Sequence, residues 1–526
     1  MSSSITTTLN LAHLPTEALY GNDTNGPGWL LSPKPYELSP QHAAVVQRLG
    51  PILKRFLVAV DELYRLSAKS RDEGSDAKTG VPAWIANLYD QGKPESLVQF
   101  ARMKRFKNQT PLILRPDLLL HNDGSWTLCE IDAVPGGLGF TAAMNRFYRL
   151  NGMPVIEGQV PPHPSPVPSD ILIRKLSRAT AGESPARGEG SQVGEANLKT
   201  TLPGLFLEML QAIALPSAGK KPVIAIVLSD ESADYRSEMA WLVNAIQTGS
   251  EGHGAYPNIT LLHPRDLDLV KDRLVYHDSE TGDDKPIDVL YRFFELFDLP
   301  NIPKIELIHY AIKRGNLVCT APFKPQLEEK LSLALLHHPV LVDYWQKALG
   351  EDDFLWLKAG VPEGWVVDPT PLPAQAVIPN LSPAGKAVQS FESLKTLSQK
   401  ERELVLKPSG FSPLGWGSRG VTIGHDHPAE VWTERLDEAI AAFPKTPYIL
   451  QKFRSADVQM AYQLDPTSGD VKELKARVRL CPYYFDIKGK MILAGALATA
   501  CPANKKLIHG MKDAVMMPVS LTSTGV

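Results

Sequence analysis

One segment, LILRPDLLLHNDGSWTLCEIDAVPGGLG (residues 112–139), concentrates residue types able to do chemistry. Asp123-Gly124 signals a two-residue hairpin turn, because both residue types tolerate the positive φ that such turns need. A hairpin closed there sets Asp117 opposite Glu130 and Arg115 opposite Asp132, and strand alternation puts all four on one face. Leu114, Leu118, Leu120, Cys129 and Ile131 then take the other, an apolar core face. Carboxylates placed directly across a ladder repel each other, so something cationic must compensate. Arg115 supplies part of it. A hard divalent ion is the natural remainder, since Mg²⁺ prefers carboxylate oxygens together with phosphate. A solvated polar face carrying a plain Arg–Asp pair is the competing reading. The adjoining PGGLG run, a backbone that lets a ligand come close, favours the metal.

A second constellation is ELVLKPSGFSPLGWGSRGVTIG (residues 403–424). An apolar strand ends at Lys407, a loop with Gly410, Gly415, Gly417 and Gly420 follows, and a second strand begins at Val421. Glycines let backbone N–H groups approach phosphate oxygens, and the lysine adds a point charge. No G-K-[ST] pair closes the loop, so it is not a Walker A motif. Farther on, PYILQKF is a strand ending at Gln451 and Lys452, and ELKARVRLCPYYFD sets Arg477 and Arg479 on one side of another. Asn504, Lys505 and Lys506 cluster near the C-terminus, and FKPQLEEKLSLALL carries Lys324 and Lys330 on a helical pattern. Read singly, each of these cations is equally an exposed solubilising charge, and the glycine loop equally a flexible hairpin.

The elements that must position these residues follow from periodicity. Residues 1–110 read as a helical N-terminal region, as in HAAVVQRLGPILKRFLVAVDELYRL. Residues 111–150 hold the hairpin. Residues 151–320 read as an α/β lobe: KPVIAIVLSD followed by EMAWLVNAIQ is a strand–loop–helix step, repeated at IDVLYRFFELFD. Within that lobe, 161–202 is rich in Pro, Ser, Gly and charge and reads as a surface excursion. Residues 321–526 bring a helix, a Pro-rich link and several strands around the glycine loop.

R-x-D, a spacer, then E-x-[ND] resembles the magnesium-binding hairpin of the glutathionylspermidine synthase family, whose members are circularly permuted ATP-grasp ligases. The resemblance covers roughly residues 110–150 and 285–526. It implies an α+β, circularly permuted ATP-grasp fold with an α/β substrate lobe. It implies metal roles for Asp117, Glu130 and Asp132, the last standing where the family commonly has Asn, and a catalytic role for Arg115. It further implies Lys407 near the α/β-phosphates, Gly415 to Gly420 as a phosphate lid, Gln451 and Lys452 at the hinge, and Lys330, Arg479 and Lys506 as further nucleotide contacts. The implied cofactors are ATP and Mg²⁺. The implied reaction joins a small-molecule or peptide carboxylate to an amine through an acyl-phosphate. A phosphotransferase and a non-catalytic nucleotide-binding scaffold are the rivals.

Bulk properties agree with a globular chain of several lobes: 526 residues, 43% apolar, 21% charged. A formal net charge of −3 gives no electrostatic reason to expect nucleic acid or an anionic membrane. The four cysteines show no C-x-x-C spacing, and no signal peptide or membrane span is read. The expected compartment is the cytoplasm.

Overall fold

A computed structural model describes residues 9–16, 29–74, 79–159, 200–219, 221–250, 252, 254–415, 417–465, 468–508 and 513–522. The excursion expected at 161–202 lies outside the described residues except for its last three.

The longest helix, Pro40–Glu73, shows why these residues form it. Ser39 accepts the His42 N–H at 3.2 Å, proline occupies the first helical position, and Gly74 ends the helix at φ 65°. Val46, Leu49, Leu53, Phe56, Val60 and Leu63 are all buried at helical spacing. Each such side chain contributes about 1.5–3 kcal/mol on burial. The stripe packs on the main sheet so closely that a Cβ on Gly50 would meet Tyr484 Cδ1 at 2.4 Å. Tyr484 Oη also donates to the Val46 carbonyl at 2.5 Å. The N-terminal region is not wholly helical, because Leu30–Leu31 and Tyr36–Leu38 join that same sheet.

The main sheet has eight strands among the described residues. Its axis is Val471–Ile487, which pairs Val458–Leu464 along its first half and Ile113–Leu120 along its second, all antiparallel. Lys490–Pro502 pairs it along the other edge. The hairpin near residue 120 therefore folds against strands more than three hundred residues later in the chain. Ile224–Leu228, Ile259–Leu262, Val289–Phe293 and Val318–Thr320 form a separate parallel sheet. The helix Arg236–Thr248 follows its first strand, as the strand–loop–helix pattern anticipates. A four-stranded antiparallel sheet holds Gly364–Val366, Tyr448–Lys452, Leu404–Pro408 and Thr422–Ile423. Among the described residues, no helix is long and apolar enough to cross a membrane.

Two local expectations need correction. The hairpin turn spans one residue more than a two-residue loop: His121 N–H donates to the Ser125 carbonyl at 3.0 Å, and Gly124 adopts φ 84°. A bulge at Cys129 then shifts the register back, so Asp117 still faces Glu130 and Arg115 still faces Asp132. The bulge takes Cys129 out of the core face. It packs beside Leu119 instead, and Leu128 fills the core in its place. The helix expected over PQLEEKLSLALLHH is also shorter, reduced to a 3₁₀ turn at Pro325–Leu327 and a helix at Leu331–Leu335. The break has a tertiary cause. Lys330 N–H donates to the Ser409 carbonyl at 2.7 Å and Leu331 N–H to Ser409 Oγ at 2.9 Å, which turns Glu328–Lys330 inward.

Candidate functional site

The hairpin's polar face is closed by its neighbour strand. Arg479 Nη1 donates to Asp117 Oδ2 at 2.9 Å, and Cys481 Sγ lies 3.3 Å from Oδ1. Arg115 lies 3.2 Å from Asp117 through Nε, 3.0 Å from Asp132 through Nη2, and 2.9 Å from the Gly136 carbonyl through Nη1. Burial alone would raise the Asp117 carboxyl, but Arg479 and Arg115 outweigh it and hold the group below its usual range. Burial raises Asp132, with Glu130 pushing the same way against Arg115.

Three further segments converge on this face. Lys330 Nζ reaches Glu130 Oε1 at 2.5 Å and the Gly415 carbonyl at 2.9 Å. Lys407 Nζ reaches Gln451 Oε1 at 2.9 Å and the Cys129 carbonyl at 3.3 Å. Burial lowers the Lys407 amine even with Glu130 nearby. Asp117, Glu130, Lys330, Lys407, Gln451 and Arg479 thus line one cleft between the main sheet and the four-stranded sheet, with ≈ 780 Å³ of empty space counting its mouth. Leu119, Val405 and Ile423 give it an apolar side. Two donors buried beneath its wall, Gln451 Nε2 and Arg479 Nε, have no partner among the described residues.

The remaining expected residues divide. Gly415 and Gly420 are close-packed: a Cβ on Gly415 would lie 2.7 Å from the Gly410 carbonyl, and one on Gly420 would lie 2.7 Å from Pro408. Gly417 holds φ 63°. Lys452 turns to Glu363 at 2.6 Å, half-exposed, and Lys506 pairs with Asp426, both at the cleft margin. Arg477 holds backbone instead, donating to the Ala503 carbonyl at 2.9 Å. Lys324 is not in the cleft. It is buried against Asp61 at 2.8 Å and the Gln109 carbonyl at 2.7 Å, which makes it an interior pair. The PGGLG run also has another explanation: a Cβ on Gly136 would meet Tyr235 at 2.2 Å, and one on Gly139 would meet the Glu238 carbonyl at 2.1 Å. Protein, not ligand, approaches that backbone.

Sequence reading missed a second cavity on the far side of Glu130 and Lys330, lined by Asp132, Glu295, Glu328 and Glu329. Burial raises both Glu295 and Glu328, with Glu328 and Asp132 adding to it at Glu295, and Asp132 and Glu329 adding to it at Glu328 against the pull of Arg292. Arg292, fully buried, donates to Glu328 and to the Phe294 carbonyl. The available signal was the Glu328-Glu329-Lys330 run, of which only Lys330 was singled out.

The three carboxylates fit a divalent ion only in part. Both oxygens of Asp117 and both of Asp132 already have partners, so Glu130, engaged through Oε1, offers the freer lone pairs and Asp132 would have to share its own. Among the described residues no group of three or more His, Cys, Asp or Glu is arranged as a metal cage. Mg²⁺ does not need such a cage, since it commonly takes one or two carboxylates with substrate phosphates.

No family model matches the chain, and no curated protein matches it. Solved structures do. A glutathione synthetase-like effector from Globodera pallida, in its apo form, superposes over 97% of this chain and 95% of its own, at 13% identity and a TM-score of 0.50. A candidate gamma-glutamylcysteine synthetase from Methylobacillus flagellatus overlaps over 94% and 91% at 10% identity, but its TM-score of 0.38 carries no argument. At 13% identity the likeness is one of backbone: this is a mixed α/β chain with a glutathione synthetase-like fold.

Proposed function

We propose that the chain is an ATP- and Mg²⁺-dependent carboxylate–amine ligase, a circularly permuted member of the ATP-grasp class. One observation carries the reading. Asp117 and Glu130 from one hairpin meet Lys330, Lys407, Gln451 and Arg479 from four other segments in a single cleft, with Arg115 paired to Asp117 beside it. The permutation reading is supported by the early hairpin lying beside the late strand Val471–Ile487.

Lys407, Lys330 and Arg479 supply the positive charge a triphosphate requires, and Gln451 Nε2 supplies a neutral donor. Glu130 and Asp132 would hold Mg²⁺, which when bound neutralises phosphate charge. A substrate carboxylate oxygen attacks the γ-phosphorus and the bond to ADP breaks. Arg115 steadies the charge on the oxygens in flight. An amine nitrogen then attacks the acyl carbon, phosphate leaves, and the amine gives up a proton. The acidic cavity beyond Glu130 suits that amine. No thiol is needed as nucleophile, and burial pushes the Cys481 and Cys319 thiols up to about 12.

The fold's likeness to a glutathione synthetase-like protein makes a panel of amino-acid and peptide acids the place to begin. With a competent acid and Mg-ATP, hydroxylamine is expected to capture a hydroxamate in step with ADP. A stable phosphorylated product that amines cannot discharge would identify a phosphotransferase. Nucleotide binding without turnover on any acid would identify a scaffold.

A further inference from the structure

A third cavity lies at the edge strand Val318–Thr320 of the parallel sheet, and it shares no lining residue with the cleft or with the acidic cavity. It encloses ≈ 200 Å³. Phe100, Phe106 and Phe323 give it an aromatic wall, with the Phe100 ring 4.9 Å from Phe106 and 5.7 Å from Phe323. Its lining holds two cations, Arg105 and Lys324, and no aspartate or glutamate. Lys324 is already answered by Asp61 at 2.8 Å. Arg105 is exposed and has no carboxylate partner among the described residues. Its Nη1 donates to the Lys313 carbonyl, at the C-terminus of the helix Ile305–Arg314. Its Nη2 lies 2.9 Å from where a Cβ on Gly315, another wall residue, would sit. That carbonyl uses one of five N–H groups and fixes the guanidinium at the wall, with Nε and Nη2 left to donate. Lys313 Nζ, 5.5 Å over the Phe100 ring, adds positive charge behind the same wall.

We propose that this cavity is a second small-molecule site, taking a monocarboxylate with one aromatic ring, its carboxylate on Arg105 and its ring among the three phenylalanines. An apolar cavity of about 150 Å³ is enough for benzene, so this one admits a single ring and a short arm. Aromatic walls favour such a ring through edge-on or offset contacts. The planar fork of a guanidinium matches a carboxylate better than any other anion of that size. One unanswered cation on the wall calls for one negative charge. The inference goes beyond the ligase reading and does not depend on it, because the site lies outside the cleft.

The test uses the full chain without nucleotide, so that failure of the ligase reading leaves it intact. The probes are phenylacetate and phenylacetamide, its equal in shape without the charge. Calorimetry should show one saturable phenylacetate site, with a preference over the amide of roughly tenfold. Added salt should narrow that preference, because the guanidinium is exposed. Arg105→Gln should erase it while both compounds still bind. Leu215→Trp fills the cavity from its loop side and should abolish binding of both. Should that variant not fold, Val318→Phe fills it from the strand. Non-saturable binding, binding that survives the filled cavity, or a preference that persists in Arg105→Gln each overturns the site.

Discussion

The two cavities that meet at Glu130 and Lys330 are built from opposite charges. On one side, Lys330, Lys407 and Arg479 line the wall. On the other, Asp132, Glu295, Glu328 and Glu329 converge, answered by Arg115 at Asp132, Arg292 at Glu328 and Lys93 at Glu329. Burial moves the groups in opposite directions as well: Lys407 is lowered, Glu295 raised. Burial thus works against the charged form on both sides, and a counter-charge brought to either would favour it again. A polyanion on one side and a cationic amine on the other would leave the reacting carboxylate between them, beside Arg115. The contrast teaches that the acidic hairpin is a partition between two cavities, beside the metal role proposed for it.

The largest effect should come from the partition itself. Glu130 is partly exposed and its single ion pair is to Lys330, so Glu130→Gln should lower kcat by roughly 10²–10³-fold with little change in melting temperature. Asp117 is a poorer test. It is buried between two guanidinium groups, and its loss strands Arg479 and takes one partner from Arg115, at about 3–5 kcal/mol of stability. Unchanged kcat in a folded Glu130→Gln protein would remove Glu130 from the reaction.

On the cationic side, Lys407→Met should weaken Mg-ATP binding by roughly ten- to a hundredfold, the size of one charged hydrogen bond. It should leave the KM for the amine unmoved, and an equal rise in both would erase the distinction between the cavities. On the acidic side, Glu295→Gln should raise the amine KM by up to about tenfold and leave nucleotide affinity alone. The sign with pH follows from the raised carboxyl. At low pH Glu295 is neutral and holds a cation weakly, so amine KM should fall as pH rises, and the Gln variant should show less of that fall. A flat wild-type profile would place the amine elsewhere.

How much of this was legible in sequence depends on what fixed each residue. The pairing of Asp117 with Glu130 was readable, though by two offsetting errors: the turn is longer by one residue and Cys129 bulges by one. Strand period reports facing, not loop length. Lys407 and Gln451 were readable as strand-end residues, and register places Val405, two residues before Lys407, directly opposite Gln451. Glu295 and Glu328 were not readable. Their place depends on Ser409 drawing the Lys330 turn inward across eighty residues of chain, and helical periodicity carries no trace of such a contact. Gly136 and Gly139 misled for a related reason. A glycine announces close approach, but only the tertiary structure says that Tyr235 and Glu238 are what approaches.

Glu238 sharpens the contrast as a buried carboxyl belonging to neither cavity. It accepts the Gly137 N–H at 2.8 Å and the Phe140 N–H at 3.1 Å, at the start of the helix Leu138–Leu150. Burial raises it from 4.5 to about 7 even though those two donors favour the anion. Between about 4.5 and about 7 the folded protein therefore holds a proton that the unfolded chain has lost. Stability from this group is full below the lower value and declines as pH rises through the upper one. The shift corresponds to at most roughly 3 kcal/mol across that window. Asp132, Glu295 and Glu328 slope the same way, so the informative quantity is the difference between wild type and Glu238→Gln in chemical unfolding at pH 5 and pH 8. The variant should lose less stability than the wild type between those two pH values. Turnover should change least of all the variants here, since Glu238 touches neither cavity. Equal pH slopes in the two proteins would mean that the N–H groups of the helix, and not burial, govern this carboxyl.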